Sequence, residues 1–100
     1  MAVVMEMVWS EASLAQYDEA CEKVGWEREV PEGAVFHVAW MGDDGFHVLD
    51  VWDSEAAFNA FAESRLMPVV KGKLGIPGEP NVTFSDAHRW YDAVHGEAGS

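Results

Sequence analysis

The segment Met41-Gly42-Asp43-Asp44-Gly45 lies between two runs of strand-forming residues, Val35-Phe36-His37-Val38-Ala39-Trp40 and Phe46-His47-Val48-Leu49-Asp50-Val51-Trp52. A short turn carrying Gly and Asp between such runs predicts a β-hairpin. If Gly42 opposes Gly45, the register sets His37 directly across from Asp50. A slip of two residues would still leave both on one face, because strand side chains alternate with period two. A His and an Asp on an otherwise apolar face are costly to bury unless they pair or line a pocket.

The rest of the chain constrains what this hairpin packs against. Residues 3–9 read as a first strand, apolar except for Glu6. Ser13-Leu14-Ala15-Gln16 is a capping box that opens a helix. Leu14, Tyr17, Ala20, Cys21 and Val24 follow helical spacing, and Gly25 is the expected stop. Ser54 caps a second helix with Ala57, Phe58, Phe61 and Ala62 on its apolar side. Pro68 is expected to kink or restart it, with continuation to about Lys73. Residues 81–90 read as a last strand. The order β-α-β-β-α-β predicts an α+β, ferredoxin-like domain, a four-stranded antiparallel sheet with two helices on one face. Two helices cover only one face. Strand 2 offers Phe36, Val38 and Trp40 to one side and Val35, His37 and Ala39 to the other, so neither side is a solvated surface. The uncovered face predicts a homodimer, built from a second copy of the same sheet.

One hundred residues make one domain, expected over residues 1–95 with a flexible tail over 96–100. Eighteen acidic against six basic residues argue against attraction to nucleic acid or anionic membrane. The single cysteine, Cys21, excludes an intrachain disulfide and a Cys-based metal site. The first residues lack a basic signal-peptide region, and no apolar run approaches a membrane span; a cytoplasmic location is expected.

From Ser13 to about His88 the chain resembles the dimeric α/β-barrel superfamily, and within it the small antibiotic-biosynthesis-monooxygenase-like proteins. The likeness is carried by Gln16-Tyr17-Asp18, Phe36-His37-Val38-Ala39, Asp50-Val51-Trp52-Asp53-Ser54-Glu55-Ala56-Ala57-Phe58, Arg65-Leu66-Met67-Pro68 and Ala87-His88. These motifs are mainly structural. The superfamily includes cofactor-free oxygenases, polyketide cyclases, lactone isomerases and haem-degrading enzymes. The resemblance therefore implies a dimer with a pocket at each sheet, and does not select a reaction.

His37 and Asp50 lead the candidates: Asp50 would orient the imidazole, making His37 a general base toward a phenol or a carbon next to a carbonyl. The competing reading is a cross-strand polar pair that only satisfies itself. Trp52 shares the parity of Asp50 and would form a wall for a flat hydrophobic or aromatic ligand; Phe36 or Trp40 would help to shape the pocket. Glu6, on the strand beside the hairpin, could enter the same pocket, with its facing left open. His88 matches a histidine position associated with the small family members, and its facing is open too. His37, Asp50, Glu6 and His88 are all metal-ligand types, but no short-range spacing such as His-x-x-x-His is present, so no metal is expected. The asparagine, tryptophan and histidine set of the family's haem degraders has no clear match, so no tightly bound cofactor is expected. The expected activity is monooxygenase- or cyclase-like, on an aromatic or polyketide-like compound. The alternative is a non-catalytic binder of a hydrophobic small molecule, or an assembly protein.

Overall fold

The computed structural model describes residues 2–92 and 96–99. Strand β1 (Val3–Trp9) leads into helix α1 (Leu14–Val24), the hairpin β2 (Ala34–Gly42) and β3 (Gly45–Trp52), helix α2 (Glu55–Phe61) and strand β4 (Asn81–Asp86). The sheet is antiparallel in the order β2-β3-β1-β4. This is the ferredoxin-like arrangement that the sequence predicts.

Local chemistry sets the boundaries. Ser13 and Gln16 form the reciprocal capping box at the start of α1, with bonds of 3.1 and 2.9 Å. Gly25 ends α1 at φ +71°, and its N–H donates to the Cys21 carbonyl. Ser54 caps α2 by accepting from the Ala57 N–H. Beyond Phe61 the helix continues as π-helical turns over Ala62–Leu66 and Pro68–Lys73. Pro68 has no N–H, and its ring crowds the preceding turn; the wider i→i+5 winding carries the chain past it. The hairpin tip passes close to the chain leaving β1, where a Cβ on Gly45 would meet Ser10 Cα at 2.6 Å.

The hairpin register is the expected one, with His37 opposite Asp50 and Gly42 opposite Gly45. A bulge between Ala34 and Phe36 leaves Val35 unpaired at the start of β2. Met5, Met7, Trp9, Phe46, Val48 and Trp52 face the helices and pack with Ala20, Phe58, Phe61 and Val70. Alternation sends Val4, Glu6, Val8, Phe36, Val38, Trp40, His47 and Leu49 to the opposite face. There Phe36, Val38 and Trp40 stand 54%, 40% and 43% exposed.

Three local expectations change. Leu14 does not join the core; at the first turn of α1 it lies outside the sheet's reach and is exposed. The last strand stops at Asp86, four residues early, and a bend over residues 87–89 separates it from a short strand β5 (Trp90–Asp92). Ala87 is buried there and donates its N–H to the Ala2 carbonyl, which extends the β4–β1 pairing by one residue. The segment expected to be a free tail forms strand β6 (Gly96–Gly99), paired with β5 in a two-stranded ribbon. His95 and Ser100 lie outside the described residues.

Candidate active site

The covered side of the sheet and the helices enclose a cavity of about 630 Å³. Its floor is Met5, Met7, Phe46 and Val48 from the sheet; its walls include Ala20 and Cys21 of α1 and Phe58, Phe61 and Val70 of the second helical segment. Trp26, Glu27, Val30 and Pro31 of the loop between α1 and β2 form one side of it. Arg65 holds that loop, donating from Nη2 to the carbonyls of Val24 and Glu29 at 3.2 and 2.8 Å. A mostly apolar cavity of this size with a few converging polar groups suits a small-molecule site.

Those polar groups form one chain. Trp52 Nε1 donates to Asp50 Oδ2 at 3.0 Å. Asp50 Oδ1 lies 2.6 Å from His37 Nδ1, and His37 Nε2 lies 2.6 Å from the Tyr17 hydroxyl. Asp50 is buried, so its carboxylate depends on these two donors. With Asp50 ionised, the neutral His37 ring carries its proton on Nδ1 and leaves Nε2 to accept from Tyr17. The Tyr17 and His37 rings are nearly parallel, at 9° and 5.9 Å between centroids. Tyr17 also packs on Phe46 and Trp26, at 4.9 and 5.7 Å. Burial pushes the Tyr17 hydroxyl well above its ordinary pKa, and the neighbouring Cys21 and Asp50 add to the effect. Burial likewise raises the Cys21 thiol. At neutral pH Tyr17 is a proton donor, not a tyrosinate.

The structure sorts the sequence candidates by face. His37, Asp50 and Trp52 border the cavity together. Trp52 is less a stacking wall than the anchor of Asp50, buried edge-on against Phe58. Phe36 touches the cavity rim at the bulge while itself exposed. Glu6 points to the uncovered face, because it alternates with the core residues Met5 and Met7. Trp40 is on that face too, stacked on His47 at 5.0 Å, and His47 binds Asp44, whose carboxyl it holds below its usual range. His88 sits exposed in the bend after β4, away from the cavity lining. Among the described residues no three His, Cys, Asp or Glu side chains converge as metal ligands would.

The sequence places Tyr17 on the apolar side of α1 without a role at the site, and gives none to Trp26. A signal for Tyr17 was present: a tyrosine on the sheet-facing side of a helix needs a partner for its O–H. His37 is that partner.

No family model and no curated protein matches the sequence. Solved structures do match in shape. A candidate antibiotic biosynthesis monooxygenase from Nitrosomonas europaea superposes with a TM-score of 0.66 at 10% identity, covering 87% of this chain and 90% of that one. A point mutant of SnoaB, a cofactor-independent oxygenase from Streptomyces nogalater, gives 0.59 at 15% identity, covering 89% and 94%. This chain has the ferredoxin-like fold of the antibiotic-biosynthesis-monooxygenase-like proteins. A dimeric ferredoxin-like protein of unknown function from Thermobifida fusca shares it, at 0.60 and 11% identity, covering 87% and 92%. At these identities the likeness concerns fold, and the same fold serves proteins of different roles.

Proposed function

We propose that the protein is a small-molecule enzyme of the monooxygenase or cyclase kind, working without a tightly bound cofactor on an aromatic or polyketide-like compound. The observation that carries this reading is the Trp52–Asp50–His37–Tyr17 hydrogen-bond chain ending at an apolar cavity. His37 is the base. Asp50 fixes its tautomer and stabilises the imidazolium once a proton arrives. Trp52 holds Asp50. Removing a proton from a phenol or from a carbon beside a carbonyl leaves an electron-rich anion. That anion can react with dioxygen or attack a carbonyl of the same molecule.

The uncovered face supports the homodimer. Phe36, Val38 and Trp40 form an exposed apolar stripe that a second sheet would cover, and a neighbour in fold is described as dimeric. One observation favours a different reading: both His37 nitrogens already have partners, as in a binder whose polar groups only satisfy themselves. Dioxygen uptake with a panel of polycyclic phenols and polyketide-like compounds separates the two. The enzyme reading expects uptake or cyclised product with the wild type and loss of turnover in His37→Ala, with the oligomer unchanged. Turnover equal to wild type in that variant overturns it.

A further inference from the structure

His37 is not open to a ligand in the way a free base would be. Nδ1 is held by Asp50, and the Tyr17 hydroxyl sits on Nε2 at 2.6 Å. A substrate must either displace Tyr17 or act through it. Displacement would break the ring contacts to Phe46, Trp26 and His37, all within 5.9 Å between centroids. Acting through it costs none of these. The hydroxyl oxygen gives its proton to Nε2 and still has acceptor capacity for a second O–H.

Resting on the function proposed above, we infer that Tyr17 is the catalytic residue that meets the substrate, relaying a proton from a phenol or enol O–H to His37. In this step the substrate O–H bond breaks and its proton bonds to Tyr17 Oη. The Tyr17 O–H bond breaks in turn, and that proton bonds to His37 Nε2. Tyr17 ends neutral, as it began. The products are a substrate oxyanion and an imidazolium paired with the Asp50 carboxylate. A tyrosine whose own ionisation is disfavoured by burial suits this role, because it passes a proton without standing as an anion. The cavity lining also narrows the substrate. It includes the exposed acidic residues Asp18 and Glu27 at its rim and, among the described residues, no lysine or arginine. A carboxylate on the ligand would meet repulsion there. The substrate class is therefore a hydrophobic phenol or enol with no further negative charge.

The test uses the full chain and 4-nitrophenol, whose phenolate absorbs in the visible while its neutral form does not. Quenching of tryptophan fluorescence reports binding independently. Tyr17→Phe keeps the ring contacts, so its fold is retained. The proposal expects a bound phenolate band in the wild type at a pH where the free probe is mostly neutral. It expects the phenolate fraction to fall about tenfold in Tyr17→Phe, equivalent to about one pH unit, with quenching still present. It expects the same loss in His37→Gln. A band that persists in Tyr17→Phe and disappears in His37→Gln overturns the relay, leaving His37 as a direct base. Loss of binding in Tyr17→Phe also overturns it, making Tyr17 an anchor. A band that survives His37→Gln, or is missing from the wild type, overturns the base reading together with the relay.

Discussion

The indole Nε1 of Trp52 lies 3.0 Å from Asp50 Oδ2, two residues earlier on the same strand and the same face. Alternation puts both side chains under the helices, so a tryptophan chosen for bulk also supplies the donor that a buried carboxylate needs. Trp52→Phe keeps an aromatic ring in the core and removes that donor. The expected loss of stability is about 1–3 kcal/mol, the usual cost of leaving a buried polar atom unpaired. The urea midpoint measures it, and an unchanged midpoint would show that Asp50 finds another partner.

Tyr17 gives the protein an alkaline weakness. Its folded pKa is raised above the ordinary value of 10.0, mainly by burial. The unfolded chain therefore releases the Tyr17 proton first, and the stability contributed below that value is lost as pH rises beyond it. Between about pH 9 and about pH 11 the urea midpoint of the wild type should fall more steeply than that of Tyr17→Phe. The Tyr17 hydroxyl also acts on the neighbouring Cys21 thiol, so the comparison is made with Cys21→Ala in both proteins. Equal slopes would mean that the Tyr17 hydroxyl ionises in the folded state as readily as in water.

The stripe Phe36, Val38 and Trp40 predicts the assembly state. Wild-type protein at micromolar concentration should sediment at about twice the 11.1 kDa chain mass. Val38→Lys places a charge at the centre of the stripe and should yield the monomer mass, with the far-ultraviolet circular dichroism unchanged. A wild type that sediments as a monomer contradicts a sheet-to-sheet dimer.

Much of the site was legible because strand geometry is rigid. The turn at Gly42–Gly45 fixes the register, and the register fixes His37 against Asp50. The facing of Glu6 was not legible, because Val4 and Val8 are as apolar as Met5 and Met7. Only the helices packed above decide which set is buried. The early end of β4 was hidden because Ala87 reads as an ordinary strand residue, and its bond to Ala2 depends on a segment 85 positions away in sequence. Tyr17 was readable as part of a helix face. That its hydroxyl lands on His37 depends on where α1 crosses the sheet, which spacing along one helix does not specify.

On the proposed reading Asp50 holds His37 as a base with Nε2 directed at Tyr17. Long-range ¹H–¹⁵N correlation spectra of the ligand-free protein read this directly. The wild type should show a single His37 tautomer, protonated at Nδ1 and bare at Nε2, which becomes a mixture in Asp50→Asn. A proton on Nε2 in the wild type would contradict it, since His37 would then be a donor to Tyr17 and could take no proton from the cavity side.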